Sequence, residues 1–458
     1  MSAPNHTRHK KGKGEESAYL MEQIVSRENM VRAYKRVLSN KGAPGIDGLE
    51  VTELKAYLEV NWTEIKAQLL SGEYYPLPVK KVEIPKPGGG LRALGIPTVL
   101  DRLLQQAIHQ ILQPMYDPAF SDWSYGFRPV RSAQQAVEQS RSHIRTGKSW
   151  VIDMDLSKFF DEVPHDRLMS KLRIKIKDRR VIHLIERYLR SGIMEDGLVS
   201  QREKGTPQGG PLSPLLSNIV LDELDKELES RGHSFVRYAD DFQIYVGSKR
   251  SAERVLNSLT LYLEERLKLK VNREKSAIGR VWERSFLGYV FTRERSVRLT
   301  VSKESIKRLK VKLKERFFEG RGRNQQKFIV NDLNPLIKGW ITYFSKSETK
   351  VFAEELDSWI RRHLRKIKWS QLKRPWTRFQ TLLKRGLSEN RAAQSSFNQR
   401  GGWWNAGASH MNQAYPRSYF DQLGLVSLQD ELSRYRLCND TRNRPVRNRT
   451  LGGVRGWK

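Results

Sequence analysis

Apolar and polar positions repeat with two different periods along the first quarter of the chain. Apolar residues three or four positions apart predict helices over 19–38, 49–70 and 98–112, the last with Thr98 within reach of its N-terminus as a cap. Apolar and polar residues alternate over 79–96, interrupted by prolines and glycines, which predicts two strands joined by a turn. Helices and a β-hairpin in one stretch predict a mixed α and β fold.

Two strand-like runs flank a pair of acidic residues near the middle of the chain. Residues 235–238 and 242–246 are rich in β-branched and aromatic side chains, and Ala239, Asp240 and Asp241 lie between them. This pattern predicts a β-hairpin with two carboxylates at its tip. Asp is also a common turn residue, because its side chain bonds its own backbone, so the pair by itself does not indicate chemistry.

A third acidic segment lies upstream, in the short apolar run 150–156. With a period of two residues, Asp153 and Asp155 point to the same face of this predicted strand. A carboxylate among apolar neighbours is costly unless it meets a cation. If neighbouring strands bring Asp155 to the hairpin tip, two Mg²⁺ ions about 4 Å apart would offset the repulsion and could clamp the oxygens of a phosphoryl transfer.

Glycines and prolines also open the stretch 205–218, and an apolar helix follows it. Glycines allow the backbone to approach a substrate closely, and Gln208 could hydrogen-bond a nucleotide. Ser213 and Ser217 lack the elbow motif and the oriented histidine of a nucleophilic serine, so we assign them no chemistry. The segment 267–275 has the alternation of a further strand.

The charge of the chain indicates its kind of partner. The 458 residues carry a formal net charge of +32, which predicts a polyanion bound through phosphate contacts. No long apolar segment is present, so we expect no membrane partner. The single cysteine, Cys438, excludes internal disulfides and cysteine-based zinc sites and fits a reducing cytoplasm.

The C-terminal third has a different character. Helical spacing predicts helices over 302–317, 328–343 and 351–367, with Ser302 as a possible cap. Residues 301–400 contain 25 Lys and Arg against 9 Asp and Glu, which is half of the net charge of the protein. A basic, helical module that closes on a nucleic-acid duplex fits this pattern.

Tryptophans alternate with Lys and Arg in the same region, at positions 369, 376, 403 and 404. Aromatic rings between cations can stack bases while the cations hold phosphates. Buried aromatics beside surface cations would give the same pattern, so both interpretations stay open.

With these segments in view, a resemblance to a known family is clear. Tyr238-Ala-Asp-Asp241 resembles the catalytic signature of reverse transcriptases, and 155–161 resembles its partner segment. The surrounding residues, from about 41 to about 428, are similar to the bacterial group II intron reverse transcriptase/maturases, most of all to class C members that lack an endonuclease domain. The resemblance implies an RNA-directed DNA polymerase that uses two-metal chemistry and also binds its intron RNA to promote splicing and mobility.

The fold implied by this resemblance is an α+β right-hand polymerase with an antiparallel-sheet palm and mixed fingers, followed by an all-α thumb and a small basic helical nucleic-acid-binding domain. We therefore predict the following segments: a disordered basic arm over 1–18, fingers and palm over 19–300, the thumb or maturase domain X over 301–375, the basic domain over 376–440 and a basic tail over 441–458.

The resemblance also implies the roles of individual residues. Asp155, Asp240 and Asp241 would be catalytic and would bind two Mg²⁺ ions, with Mn²⁺ as an alternative, and Leu156 would be a further metal ligand. The residues implied to bind the nucleotide are Lys86, Arg92, Phe160, Gln208 and Lys275.

Three of these assignments have a structural alternative. In related polymerases an aromatic residue at the spacing of Phe160 presses on the sugar and excludes a 2′-hydroxyl, but either Phe159 or Phe160 could be a core residue. Lys275 would lie near the leaving pyrophosphate, or else it is a solvated surface lysine. Arg92 could bind phosphate oxygens in bidentate fashion, or it belongs to a solvated basic strand edge.

The implied partners are group II intron RNA, an RNA template with a DNA primer, dNTPs and target DNA, within a cytoplasmic ribonucleoprotein of unknown oligomeric state. Arg128 would contact template phosphate or form a structural ion pair. The predicted nucleic-acid-binding residues are Arg128, Lys307, Lys310, Lys314, Arg361, Arg362, Arg365 and Lys366.

Relatives with an endonuclease domain carry further His and Cys metal ligands near the C-terminus. Here about thirty residues follow Leu428, with one cysteine and no histidine, so we expect no target-strand cleavage and a primer from the replication fork. Two alternative functions remain: a maturase whose polymerase is vestigial, and a domesticated reverse transcriptase in DNA repair or defence.

Overall fold

The computed structural model describes residues 19–85, 90–195, 198–200, 204–206 and 209–442. The chain divides into two compact units, Met1–Arg284 and Ser285–Lys458. The predicted arm over 1–18 and the tail beyond 442 lie outside the described residues. The boundary between the units precedes the predicted start of the thumb at residue 301.

The first unit contains two four-stranded sheets and ten described helices. Its strands are β1 (Val79–Pro85), β2 (Leu91–Ile96), β3 (Trp150–Met154), β4 (Ile193–Glu195), β5 (Leu198–Ser200), β6 (Ser234–Tyr238), β7 (Asp241–Val246) and β8 (Ala277–Arg280). Its helices are α1 (Leu20–Ile24), α2 (Arg27–Asn40), α3 (Leu54–Ser71), α4 (Val99–Tyr116), α5 (Ala133–Arg145), α6 (Phe159–Glu162), α7 (His165–Lys175), α8 (Arg179–Arg190), α9 (Ser213–Ser230) and α10 (Lys249–Leu261).

The larger part of the core lies around an antiparallel sheet with the strand order β6-β7-β3-β8. Its apolar side chains Ile152, Phe235 and Ile244 are fully buried, and α5, α9 and α10 contact its strands. The second sheet has the order β2-β1-β4-β5, in which β1 pairs with β2 antiparallel and with β4 parallel. The first of these sheets agrees with the antiparallel palm sheet that the resemblance implies.

The second unit is a set of helices with one short hairpin. The hairpin consists of β9 (Tyr289–Phe291) and β10 (Leu299–Val301). The helices are α11 (Lys303–Glu319), α12 (Gln325–Phe328), α13 (Asn334–Tyr343), α14 (Val351–Gln371), α15 (Pro375–Lys384), α16 (Glu389–Ser396), α17 (Gly402–Gly407), α18 (Ser409–Ala414), α19 (Arg417–Gln422) and α20 (Leu428–Arg442). The hydroxyl of Tyr289 donates to the carbonyl of Tyr343, which ties the hairpin to α13.

Local signals in the sequence set several helix boundaries. Thr98 accepts a hydrogen bond from the backbone N–H of Asp101 at the start of α4, and Ser302 accepts one from Ser305 at the start of α11. Both caps agree with the prediction, because a side-chain oxygen there satisfies an otherwise unpaired N–H. The predicted helix over 19–38 is instead two helices, since Ser26 caps α2 and interrupts the run.

One predicted strand is wrong. The segment 267–275 forms only an isolated bridge between Val271 and Leu156, followed by a turn. Its backbone pairs with the loop after β3, because Ser157 donates to the carbonyl of Lys270 and Asn272 donates to that of Asp155. The alternating pattern therefore reflects two buried leucines beside a loop and not a place in a sheet.

The observed architecture confirms the predicted α+β class. Among the described residues, no helix combines the length and the apolar character needed to cross a bilayer.

Candidate active site

The turn that carries the two adjacent aspartates joins the edge strand β6 to the central strand β7. Tyr238 pairs with Asp241, which leaves Ala239 and Asp240 as a two-residue loop. Ala239 has φ of 60°, in the left-handed region that residues with a Cβ rarely adopt. This conformation requires contacts that hold the turn in place.

The fully buried side chain of Arg237 supplies one such contact. Its Nη1 donates to the carbonyl oxygen of Ala239 at 2.9 Å. Its Nε and Nη2 bind both carboxylate oxygens of Asp225, at 2.7 and 2.5 Å, and Asp225 is equally buried. The pair connects the turn to α9. Removing either partner would leave an uncompensated charge inside the protein.

A second contact comes from the segment 124–129. Nδ2 of Asn218 donates to the carbonyl of Gly126 at 2.9 Å, while Oδ1 of Asn218 accepts from Arg237 at 3.0 Å. A Cβ at position 126 would lie only 2.2 Å from the backbone nitrogen of Ala239. Position 126 is thus a glycine because the two backbones are in direct contact.

Neighbouring carboxylates raise the proton affinity of Asp241. Part of Asp241 is exposed to solvent, but desolvation of its carboxylate by the surrounding protein, followed by the charges of Asp153, Asp240 and Asp155, raises the pKa of Asp241 to about 8. Burial also raises the pKa of Asp153, although a hydrogen bond from Gln243 opposes the change. Asp153, Asp155, Asp240 and Asp241, from β3, the residue after it and the β6–β7 turn, therefore share one electrostatic environment.

Asp155 follows the last residue of β3 and is held by the loop after residue 271. Its Oδ2 accepts from Nδ2 of Asn272 at 3.0 Å, and its backbone N–H donates to the hydroxyl of Ser276 at 3.1 Å. Nζ of Lys275 lies 3.6 Å from the same Oδ2, with most of the lysine side chain exposed. The structure thus places Lys275 beside Asp155. The sequence left open whether Lys275 lies near the leaving pyrophosphate or is a solvated surface lysine.

The donors at this site suit a hard cation. Carboxylate oxygens are the ligands that Mg²⁺ prefers, and Leu156, whose side chain is buried, could add only its carbonyl oxygen. In the part of the chain that the structure describes, no three His, Cys, Asp or Glu side chains are positioned to hold one ion. The carboxylates of Asp155, Asp240 and Asp241 would therefore have to turn toward a shared ion, and Asp155 would have to loosen its contact with Lys275.

The two adjacent phenylalanines of α6 have different environments. Phe159 is buried, with 2% of its surface exposed, whereas Phe160 is half-buried. Their rings meet edge to face at 5.4 Å, and the carbonyl of Phe160 accepts from the backbone N–H of Thr206 at 2.6 Å. Phe159 is thus a core residue, which leaves Phe160 as the ring that could meet a nucleotide.

Of the other predicted nucleotide-binding residues Lys86, Arg92 and Gln208, the structure describes only the backbone of Arg92. Lys86 and Gln208 lie outside the described residues. Arg92 belongs to β2, where its backbone pairs with Ile84 of β1, and its side chain lies outside the described part of the structure.

Arg128 uses its donors inside the protein. Its Nε lies 2.8 Å from Oδ1 of Asp117, and its Nη1 donates to the carbonyls of Ser121 and Ser124 at 2.5 and 2.9 Å. Only 4% of the side chain is exposed. Of the two roles that the sequence left open, this geometry favours the structural ion pair over a phosphate contact.

The other predicted nucleic-acid-binding residues lie on α11 and α14 of the second unit. Lys307 and Lys314 are exposed, and Lys310, Arg361, Arg362 and Lys366 are half-buried. Arg365 is buried, and its Nε donates to the carbonyl of Tyr415 at 2.9 Å, which favours a packing role.

Sequence reasoning missed the residues that hold the carboxylates in place. They are Gly126, Asn218, Asp225, Arg237 and Asn272. An arginine within an apolar strand is an available signal, since such a charge needs a buried partner. The sequence does not identify that partner, because α9 offers several acidic residues.

Comparisons with known proteins assign two regions of the chain to known families. Residues 84–291 match the family Reverse transcriptase (RNA-dependent DNA polymerase), and residues 306–386 match Group II intron, maturase-specific domain. The first match lies within the predicted fingers and palm, and the second begins in the predicted thumb and extends past residue 375 into the predicted basic domain.

Three curated relatives are informative. Protein YkfC of Escherichia coli (strain K12) is 37% identical over 318 residues, which cover 60% of this chain and 84% of YkfC. The Group II intron-encoded protein LtrA of Lactococcus lactis subsp. cremoris is 32% identical over 323 residues, covering 56% of this chain and 54% of LtrA. The Putative COX1/OXI3 intron 2 protein of Saccharomyces cerevisiae is 30% identical over 324 residues, covering 56% of this chain and 37% of that protein.

The chain thus spans most of YkfC but only about half of LtrA. The family predicted from the sequence is confirmed by these matches. The carboxylate-bearing hairpin and the helical unit after it therefore have a common explanation: this chain belongs to the group II intron reverse transcriptases that carry a maturase-specific domain.

Proposed function

We propose that this chain copies RNA into DNA by two-metal phosphoryl transfer and binds its group II intron RNA to promote splicing and mobility. The observation that carries the proposal is the grouping of Asp153, Asp155, Asp240 and Asp241 around one strained turn, where desolvation by the surrounding protein, followed by the charges of the other three carboxylates, raises the pKa of Asp241 to about 8. Such a cluster is costly without a cation and becomes favourable with one.

Reverse transcriptases generally use divalent metal ions. We assign the ligands here as Asp155, Asp240 and Asp241, with the carbonyl of Leu156, and the ions as two Mg²⁺, which Mn²⁺ could replace. When bound, the metal would activate the primer 3′-hydroxyl and neutralise charge on the triphosphate and its leaving group. The chain itself positions the carboxylates through Arg237 and Asn272.

Three further side chains would act on the incoming dNTP. Lys275 lies beside Asp155 and would give up this contact when the carboxylate binds the metal. Lys275 would then act as a proton donor to the leaving pyrophosphate. The half-buried ring of Phe160 would press on the sugar where a 2′-hydroxyl would project. Lys86 and Arg92 would hold the triphosphate, and Gln208 would hydrogen-bond the nucleotide.

The second unit would hold RNA. Its α11 and α14 present Lys307, Lys310, Lys314, Arg361, Arg362 and Lys366, which suits contacts to phosphate. The proposed partners are the intron RNA, a template–primer duplex and target DNA, within a ribonucleoprotein.

Primer extension tests the polymerase. A DNA primer annealed to an RNA template would be incubated with dNTPs and Mg²⁺, comparing wild type with the double variant Asp240→Ala/Asp241→Ala. We expect the double variant to lose activity by about a thousandfold or more, since metal ligation supplies several kcal/mol of transition-state stabilisation. Asp122→Ala, which removes an exposed carboxylate of the same unit, is the matched control and should extend normally.

Binding to a structured RNA would be measured in the same samples. Extension by wild type only, with RNA binding kept in both, supports the proposal. RNA binding by wild type without any extension would overturn the polymerase and leave a splicing cofactor.

A further inference from the structure

The second unit contains a cluster of stacked rings where α11, α14 and α17 meet. The imidazole of His363 stacks on Phe317 with ring centroids 4.7 Å apart and planes within 3°. The same imidazole contacts Trp359 at 4.2 Å and Trp403 at 4.7 Å. We call the outer part of this cluster the Trp403 platform. It consists of Trp403, His363, Lys310, Lys314, Arg362 and Lys366.

The platform carries positive charge that the protein does not neutralise. Burial, followed by the charges of Lys366, Lys314 and Arg362, lowers the pKa of His363 to about 4. Among the described residues, none of the platform's three lysines nor Arg362 has a carboxylate within ion-pair distance. These cations surround one aromatic cluster without acidic partners, so the site favours a bound anion.

A partly exposed tryptophan lies in the middle of this charge. Trp403 retains 38% of its surface exposed, and its neighbour Trp404 retains 45%. The guanidinium of Arg362 lies 4.1 Å from the Trp403 ring centroid and donates to the Trp403 carbonyl at 3.1 Å. Nζ of Lys366 lies 5.9 Å from the same ring. The ring is therefore fixed by cations that could also reach a phosphate.

The backbone that presents Trp403 is preorganised. The fully buried Asn405 donates from Nδ2 to the carbonyl of Arg400 at 2.8 Å and pairs with Asn398, which fixes the turn before α17. A Cβ at Gly407 would lie 2.8 Å from Cζ of Arg362, so the guanidinium occupies space that only glycine leaves open. Ordered rings of this kind lose little entropy when a ligand stacks on them.

We infer that the Trp403 platform binds an unpaired nucleotide of RNA, with the base stacked on Trp403 and the adjoining phosphates on Lys310, Lys314 and Lys366. The inference deepens the proposed function, since it rests on RNA as the partner of the second unit. A duplex needs only cations along its backbone, whereas an exposed ring gains most from a base with a free face. The uniformly positive surroundings favour RNA over a protein partner, for which an acidic peptide serves as a competitor in the test.

The base contact is tested with short RNA probes on the full-length chain. Fluorescence anisotropy would compare a single-stranded 8-mer, the same strand with abasic sites and an RNA duplex of equal length. We expect Trp403→Ala to weaken binding of the single strand about tenfold and to leave the abasic strand and the duplex nearly unchanged. Trp376→Ala, which removes a more exposed tryptophan from α15, is the matched control and should bind all three like wild type.

The phosphate contact is tested with charge variants. Lys314→Ala should lower the salt dependence of single-strand binding by about one ion, whereas Lys373→Ala, an exposed lysine outside the platform, should leave single-strand binding unchanged. Gly407→Ala should displace the Arg362 guanidinium and weaken single-strand binding while the melting temperature stays unchanged.

Three results would overturn the inference: equal losses for the Trp403 and Trp376 variants, equal binding of the abasic and intact strands, or an acidic peptide that displaces RNA at equal concentration. Primer extension by wild type, measured in parallel, distinguishes a failure of this inference from a failure of the proposed polymerase activity. Base-dependent binding without extension contradicts only the polymerase, and extension without base dependence contradicts only the Trp403 platform.

Discussion

Arg237 and Ala239 are joined by a hydrogen bond of 2.9 Å from the guanidinium to the carbonyl oxygen, within a fully buried network. Ala239 is the residue before Asp240, and its backbone is held in a left-handed conformation. The same guanidinium is paired with Asp225 on α9. The position of the carboxylates that we propose as catalytic thus depends on a buried ion pair.

Variants of this ion pair can separate stability from catalysis. Arg237→Met or Asp225→Leu alone should destabilise the first unit by about 3–5 kcal/mol, because each leaves one buried charge unpaired. The double variant should recover most of this loss, since apolar residues can replace a buried pair without great cost. It should still extend primers about 10–100-fold more slowly than wild type, because nothing then holds the Ala239 carbonyl.

Urea denaturation and primer extension on the same preparations provide both measurements for the Arg237 variants. The decisive quantity is kcat at saturating dNTP and Mg²⁺, since a positioning role lowers kcat after folding is restored. A double variant with wild-type stability and wild-type kcat would show that the pair serves packing only.

The close approach of Gly126 to the turn predicts a second effect. Gly126→Ala places a Cβ within 2.2 Å of the Ala239 nitrogen, so one of the two backbones must move. We expect at least a tenfold loss of primer extension, because small displacements of catalytic groups are costly. Gly247→Ala is the control, since a Cβ there has no heavy atom within 4 Å. Equal activity of the two variants would contradict a direct role of Gly126 in shaping the turn.

The raised pKa of Asp241 predicts a dependence of stability on pH in the absence of divalent ions. Between about pH 4 and pH 8 the folded state keeps a proton that the unfolded chain has lost, so the free energy of unfolding falls as the pH rises through this range. Asp241→Asn, which cannot ionise, should therefore raise the melting temperature by at least about 3 °C at pH 9 and have little effect at pH 4.

Addition of Mg²⁺ completes the Asp241 experiment. At pH 8 the metal should stabilise wild type more than Asp241→Asn, because it favours the ionised carboxylates. Asp122→Asn, at an exposed position, should melt like wild type at every pH. A constant difference between Asp241→Asn and wild type from pH 4 to pH 9 would contradict the shifted pKa.

The different burial of the two phenylalanines predicts which one selects the sugar. Phe160→Val should increase the incorporation of ribonucleotides relative to deoxynucleotides by roughly tenfold or more, since the smaller side chain leaves space for a 2′-hydroxyl. Phe159→Leu should mainly reduce stability, because that ring lies in the core. The kcat/KM ratio for matched rNTP and dNTP is the measurement, and an unchanged ratio in Phe160→Val would assign selection to another residue.

Local sequence patterns were sufficient for several of these features. The β-branched and aromatic runs 235–238 and 242–246 predict the hairpin and place Asp240 and Asp241 at its tip, because such side chains favour strands and Asp favours turns. Thr98 and Ser302 mark helix starts, since a cap acts within three residues of itself. The same local character explains the error at 267–275, where alternation came from burial beside a loop.

The sequence by itself determined many of the helices and strands, the acidic turn and the concentration of positive charge in the second unit, because periodicity, caps and composition act within a few residues. Only the tertiary structure decided which residues meet across long stretches of chain. It paired Arg237 with Asp225, placed Gly126 against Ala239, buried Arg128 on Asp117 and brought His363 under Trp403. Such contacts depend on how separate elements pack, and packing selects one partner among several that the sequence makes chemically equivalent.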